Sequence, residues 1–130
     1  MDSGGQRPAP SAVTLVRMAD LVSRVRAICT AFPGVTEKLS HGTPLWSARK
    51  GFVQIWPDGH HDNTFPHLWC AAPPGVQESL IGRDSRRYFR PPYVGHRGWV
   101  GMRLDGDLDW DDVEELCELA YRTVTPAARG

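Results

Sequence analysis

Arg86-Arg-Tyr-Phe-Arg-Pro-Pro-Tyr-Val-Gly-His-Arg-Gly-Trp-Val-Gly-Met-Arg-Leu-Asp105 is the stretch from which the fold can be read. Its second half alternates: Val100, Met102 and Leu104 point one way, Trp99, Gly101 and Arg103 the other, the two-residue period of a strand. Its first half cannot be helix interior, because Pro91 and Pro92 lack N–H donors and push the residues before them toward extended backbone. The stretch reads as strand, Pro/Gly crossover, strand. Five of the chain's fifteen Lys and Arg lie in it (Arg86, Arg87, Arg90, Arg97, Arg103), interleaved with Tyr88, Tyr93 and Trp99. Cations and aromatic rings thus gather at one sheet edge, which suits a binding surface better than a catalytic site.

Upstream, three short strands are predicted: Leu45–Arg49, Phe52–Trp56 and His67–Ala72, separated by Lys50-Gly51 and by the polar loop after Pro57. A short helix, Val76–Ile81, closes at Gly82. Val35–Thr43 reads as an irregular link with a turn at Gly42-Thr43-Pro44. Two longer helices flank this core. Leu15–Phe32 keeps a 3.6-residue apolar period and stops at Pro33-Gly34. The second begins at an Asp109 cap, carries acids in its first turns, and buries Val113, Leu116, Cys117, Ala120, Tyr121 and Val124 before Pro126.

This order predicts a single α+β domain over residues 13–126, with both terminal helices on one face of an antiparallel sheet. Residues 1–12 read as a disordered arm and 127–130 as a tail. Period two then places Phe52, Gln54, Trp56, His67, Trp69, Trp99 and Arg103 on the opposite face, which no helix covers. Three Trp there imply a ligand face made of Trp56, His67 and Trp69 with His41 nearby, or an interface with a second copy. The plainer alternative is that the arm or the loop around Pro57–Pro66 folds over them.

At 130 residues with zero net charge and 41% hydrophobic residues, the chain has ordinary globular composition and no general polyanion-binding character. The charge is unevenly spread. Six arginines and one acid occupy Arg83–Arg103, and eight acids without Lys or Arg occupy Asp105–Glu118. That asymmetry either orients an anionic partner or is neutralised internally where the two segments meet. No apolar run approaches the roughly 20 residues that span a bilayer, and the N-terminus lacks the apolar core of a signal peptide. Cys29, Cys70 and Cys117 are odd in number, far apart and at apolar positions, so they read as buried reduced thiols of a cytoplasmic protein.

Planar guanidinium forks pair with phosphate and stack on rings, so Arg86, Arg87, Arg90, Arg97 and Arg103 with Tyr88, Tyr93 and Trp99 suit DNA or a nucleotide-like ligand. The bland counterpart is that these arginines meet the acidic last helix or water. The five histidines show no His-Glu-x-x-His spacing, and no paired Cys spacing exists, so neither metal nor cofactor is expected. No nucleophile elbow and no phosphate-cradling Gly-rich loop occur, which favours a non-catalytic protein. An enzyme using the Trp/His face, or a homodimeric interaction module, are the alternatives.

Three segments resemble the MmcQ/YjbR family, small bacterial proteins usually labelled DNA-binding. They are the helix exit Phe32-Pro-Gly-Val-Thr-Glu-Lys-Leu-Ser-His-Gly-Thr-Pro-Leu-Trp46, the crossover Tyr88-Phe-Arg-Pro-Pro-Tyr-Val-Gly95, and Gly98-Trp-Val-Gly-Met-Arg-Leu-Asp105. The pieces are short, but they occur in the family's order and spacing. The resemblance implies an α+β domain similar in outline to the frataxin fold, with a double-wing arrangement and a DNA-binding role.

Overall fold

The structure, a computed structural model, describes residues 9–126. The predicted tail and most of the predicted arm lie outside the described residues. In chain order the elements are α1 (Ala12–Thr30), β1 (Thr36–Ser40), β2 (Thr43–Ser47), β3 (Gly51–Trp56), β4 (His67–Cys70), α2 (Val76–Arg83), β5 (Tyr88–Phe89), β6 (Val100–Arg103) and α3 (Trp110–Val124). The strands form one antiparallel sheet in the order β1-β2-β3-β4-β6-β5. This is the expected α+β architecture, with α1 and α3 packed on one side.

Register explains the layering. Val53, Cys70 and Val100 are cross-strand neighbours, as are Ile55, Leu68 and Met102, and all six are buried. This double row is the sheet's contribution to the core. Against it α3 lays its stripe of Val113, Leu116, Cys117, Ala120 and Val124, each buried. Asp109 caps that helix by accepting from the Asp111 N–H at 2.9 Å, which satisfies an otherwise orphaned donor. Helix α1 buries Val25 and Cys29 near its C-terminal end, while Val13, Leu15 and Val16 stay exposed. Its start lies three residues earlier than the apolar period suggested, because Ser11 caps the Thr14 N–H at 3.1 Å.

Residues Val35–Thr43 are not an irregular link. They contain β1 and a two-residue hairpin turn in which His41 (φ 54°) and Gly42 (φ 82°) both take left-handed backbone. The strand went unseen because it is polar and exposed on nearly every residue, with Leu39 70% exposed, so no alternation marks it. It is fastened on the helix side. Arg26 of α1 grips Glu37 through two hydrogen bonds of 2.8 and 2.9 Å, and the buried Trp46 indole donates to the same carboxylate at 2.8 Å. The guanidinium and the indole N–H hold the Glu37 carboxyl below its ordinary pKa, against partial burial.

Other boundaries shift modestly. Strand β4 ends at Cys70 rather than Ala72, and α2 runs through Gly82 to Arg83. Phe52 does not belong to the face opposite the helices: its ring packs on Phe32 at 6.4 Å and Tyr121 at 5.6 Å. The irregular register between Trp46 and Ser47 lies beside it, and such an irregularity breaks strict alternation. Gly101 matters for closeness. A Cβ there would collide with the Phe89 ring, so its absence lets the edge strand lay Phe89 across β6.

Candidate functional site

On the sheet face opposite the helices, register sets Trp56 beside His67 and Gln54 beside Trp69. The two indoles lie 4.8 Å apart, with His67 6.5 and 6.4 Å from them. This face is covered. The loop after β3 folds back, setting His60 on Trp56 at 4.0 Å and edge-on to Trp69 at 5.1 Å, and Phe65 on His67 at 5.4 Å. Exposure falls to 4% for Trp56, 5% for Trp69 and zero for His67. Trp99 is not in this cluster; it is buried elsewhere, with Arg97 over its ring at 5.4 Å.

Burial has a chemical cost here. Among the described residues, the buried side-chain nitrogens without a hydrogen-bond partner are Trp56 Nε1, His60 Nδ1, His67 Nε2 and Trp69 Nε1. All four belong to this one cluster. Burial lowers the pKa of His67, and also that of His60, where the neighbouring His61 and His41 add to the effect.

His60 is also the inner wall of a cleft of about 570 Å³ between the 60–63 turn and the crossover, lined by His60, His61, Asp62, Asn63, Arg90, Pro91, Pro92 and Tyr93. Tyr93 is 68% exposed, with its ring 6.2 Å from His60 and 6.0 Å from His61. Among the described residues the non-glycine positions with positive φ are His41 (54°), His61 (51°) and Tyr93 (66°). Two of these line the cleft, and the third acts electrostatically on its wall. Such strain costs about 1–3 kcal/mol per residue and concentrates at binding and catalytic sites. His41 is exposed on the β1–β2 hairpin rather than part of the indole cluster. Gln54 ties that hairpin to the face by donating to the Ser40 carbonyl at 2.8 Å.

The five arginines do not act as one patch. Arg87 is structural, donating to the carbonyls of Arg103 and Asp105 at 2.8 Å and Asp107 at 3.0 Å. Arg103 forks onto Asp105 at 3.0 and 2.7 Å and lies 3.9 Å over Phe65. That fork holds the Asp105 carboxyl below its usual pKa. Contacts within the fold therefore take two of the five, Arg103 through a carboxylate and Arg87 through backbone carbonyls. Tyr88 is half-buried on β5, in a recess shared with Arg83, Asp84, Asp107 and Asp112. Arg86 is exposed and makes no side-chain bond among the described residues, Arg97 is exposed over Trp99, and Arg90 faces the cleft.

Gln77 organises the crossover and was missed at the level of sequence. It is 3% exposed and donates to the carbonyl oxygens of Gly95 (2.9 Å) and Trp99, and its own oxygen accepts from Arg90 at 3.3 Å. Its one signal was an amide beside Val76 and Leu80 in a helix that buries few residues. No group of three or more His, Cys, Asp or Glu among the described residues could hold a metal.

The YjbR family model matches residues 30–123. The fold is similar to the crystal structure of Deinococcus radiodurans protein DR2400, which carries a DUF419 domain: TM-score 0.66 and 19% identity, over 84% of this chain and 81% of that one. No curated protein matches the chain.

Proposed function

The chain belongs to the YjbR family, and from that premise we propose that it binds a phosphate-bearing ligand, nucleic acid foremost, at the crossover cleft, without catalysing a reaction. The carrying observation is Tyr93: an aromatic residue 68% exposed, on a left-handed backbone, in the same cleft as Arg90 and His61. Exposed rings stack bases at about 1–3 kcal/mol each, and neighbouring cations hold the phosphates. Arg86 and Arg97, exposed to either side of Arg90 in sequence, are the other arginines open to phosphate. Arg87 and Arg103 are spent on the fold and contribute little. Three free thiols, all buried, support a reducing, cytoplasmic setting.

Titration with a short oligothymidylate at several salt concentrations tests this reading. Three available arginines predict a log–log salt slope of about −2 on single strands. Arg90→Gln and Tyr93→Ala should each weaken binding about tenfold. A flat salt response would refute the phosphate contact.

A further inference from the structure

The unpartnered nitrogens of Trp56, Trp69 and His67 have definite hydrogen-bonding characters. Indole N–H groups only donate, so Trp56 and Trp69 offer two donors. The Phe65 carbonyl lies 2.8 Å from His67 Nδ1 and can only accept, so Nδ1 carries the proton and Nε2 is an acceptor. Burial keeps that imidazole neutral, and its ring neighbours are Trp56, Trp69, Phe65 and Phe89. Buried groups left unpaired cost about 1–3 kcal/mol each. The set calls for an occupant with acceptors for two indoles and a donor for His67. An ionised carboxylate or a phosphodiester brings acceptors alone and would set one lone pair against another. A neutral edge carrying carbonyl and N–H side by side satisfies all three.

The His60 ring sits 4.0 Å from Trp56, and His60 also lines the Arg90/Tyr93 cleft. The turn that holds it is closed by two backbone bonds between His60 and Asn63, 2.9 and 3.0 Å. We propose that His60 occupies the place of a nucleobase. The base of a nucleotide enters from the cleft, displaces His60 from the indoles and presents its donor–acceptor edge to Trp56, Trp69 and His67, while its phosphate meets Arg90. The phosphate half of this arrangement rests on the binding proposed above; the base half rests on the unpartnered nitrogens.

The test is titration of the ¹⁵N-labelled chain with the common ribonucleosides, their 5′-monophosphates and inorganic phosphate, following the five indole N–H resonances. At least one nucleoside should move the Trp56 and Trp69 signals, and its monophosphate should bind about tenfold more tightly. His60→Ala should raise nucleoside affinity. Trp69→Phe, which keeps a ring and loses the N–H, should lower it, and Arg90→Gln should weaken the monophosphate alone. If no nucleoside moves those two signals, or His60→Ala leaves nucleoside affinity unchanged, a buried water alone fills the set and the base site falls. In that case salt-dependent phosphate binding can still stand. Nucleoside binding with no gain from the phosphate would overturn the phosphate reading and leave the base site in place.

Discussion

The side-chain oxygen of Gln77 accepts from Arg90 Nη1 at 3.3 Å, so the residue that anchors the crossover also orients the cation facing the cleft. The same amide satisfies two carbonyls across the chain. Gln77→Leu fills similar space without donors and leaves the Trp99 carbonyl unpaired in the interior, while the Gly95 carbonyl keeps the Gly98 N–H at 3.0 Å. It should cost about 2 kcal/mol or more in denaturant unfolding and weaken ligand binding through Arg90. An unchanged midpoint would mean that the Trp99 carbonyl finds another partner.

Neighbouring arginines should behave oppositely. Arg87→Ala removes three charge-assisted bonds that tie β5 to the β6–α3 connection, with an expected loss of about 1.5–3 kcal/mol. Arg87→Lys should recover little of it, because a compact ammonium lacks the planar fork. Arg86→Ala should shift stability by no more than about 0.5 kcal/mol while reducing the salt dependence of binding. Thermal unfolding of the three variants checks the contrast; equal losses at both positions would contradict it.

Acid unfolding should show two steps. The folded-state pKa values of His60 and His67 are depressed, so below about pH 6.5 the unfolded chain takes up protons that the folded one refuses. Stability falls as pH drops through that window, and levels once the folded values are reached. Glu37 and Asp105 are depressed by Arg26 and Arg103. Their contribution is complete above the ordinary carboxylate pKa of about 4 and disappears as pH falls through their lower folded values. Urea midpoints measured from neutral to acid pH should resolve both steps, and His67→Gln should shrink the upper one. A single step confined to the carboxylate range would refute the histidine contribution.

Much of the architecture was legible because it is written locally. The α3 stripe from Val113 to Val124, its Asp109 cap and the alternation of Val100, Met102 and Leu104 each state a face and a period. Strand β1 escaped because Thr36-Glu-Lys-Leu-Ser40 is exposed on nearly all of its residues and carries no apolar rhythm. The arginines show a different limit. Sequence counts guanidinium groups, but Arg87 becomes structural only because the chain brings the carbonyls of Arg103, Asp105 and Asp107 to it. His60 and His61 looked like ordinary turn residues; only the folding back of their loop sets His60 over two indoles and His61 against His60 and Tyr93.

The left-handed backbone at His41, His61 and Tyr93 also bears on engineering. Glycine at any of the three would relax the main chain, and at His61 and Tyr93 it would also delete a side chain that lines the cleft. Libraries sorted for heat tolerance and libraries sorted for capture of nucleotides should therefore diverge at the codons of His61 and Tyr93, as the trade between endurance and activity predicts.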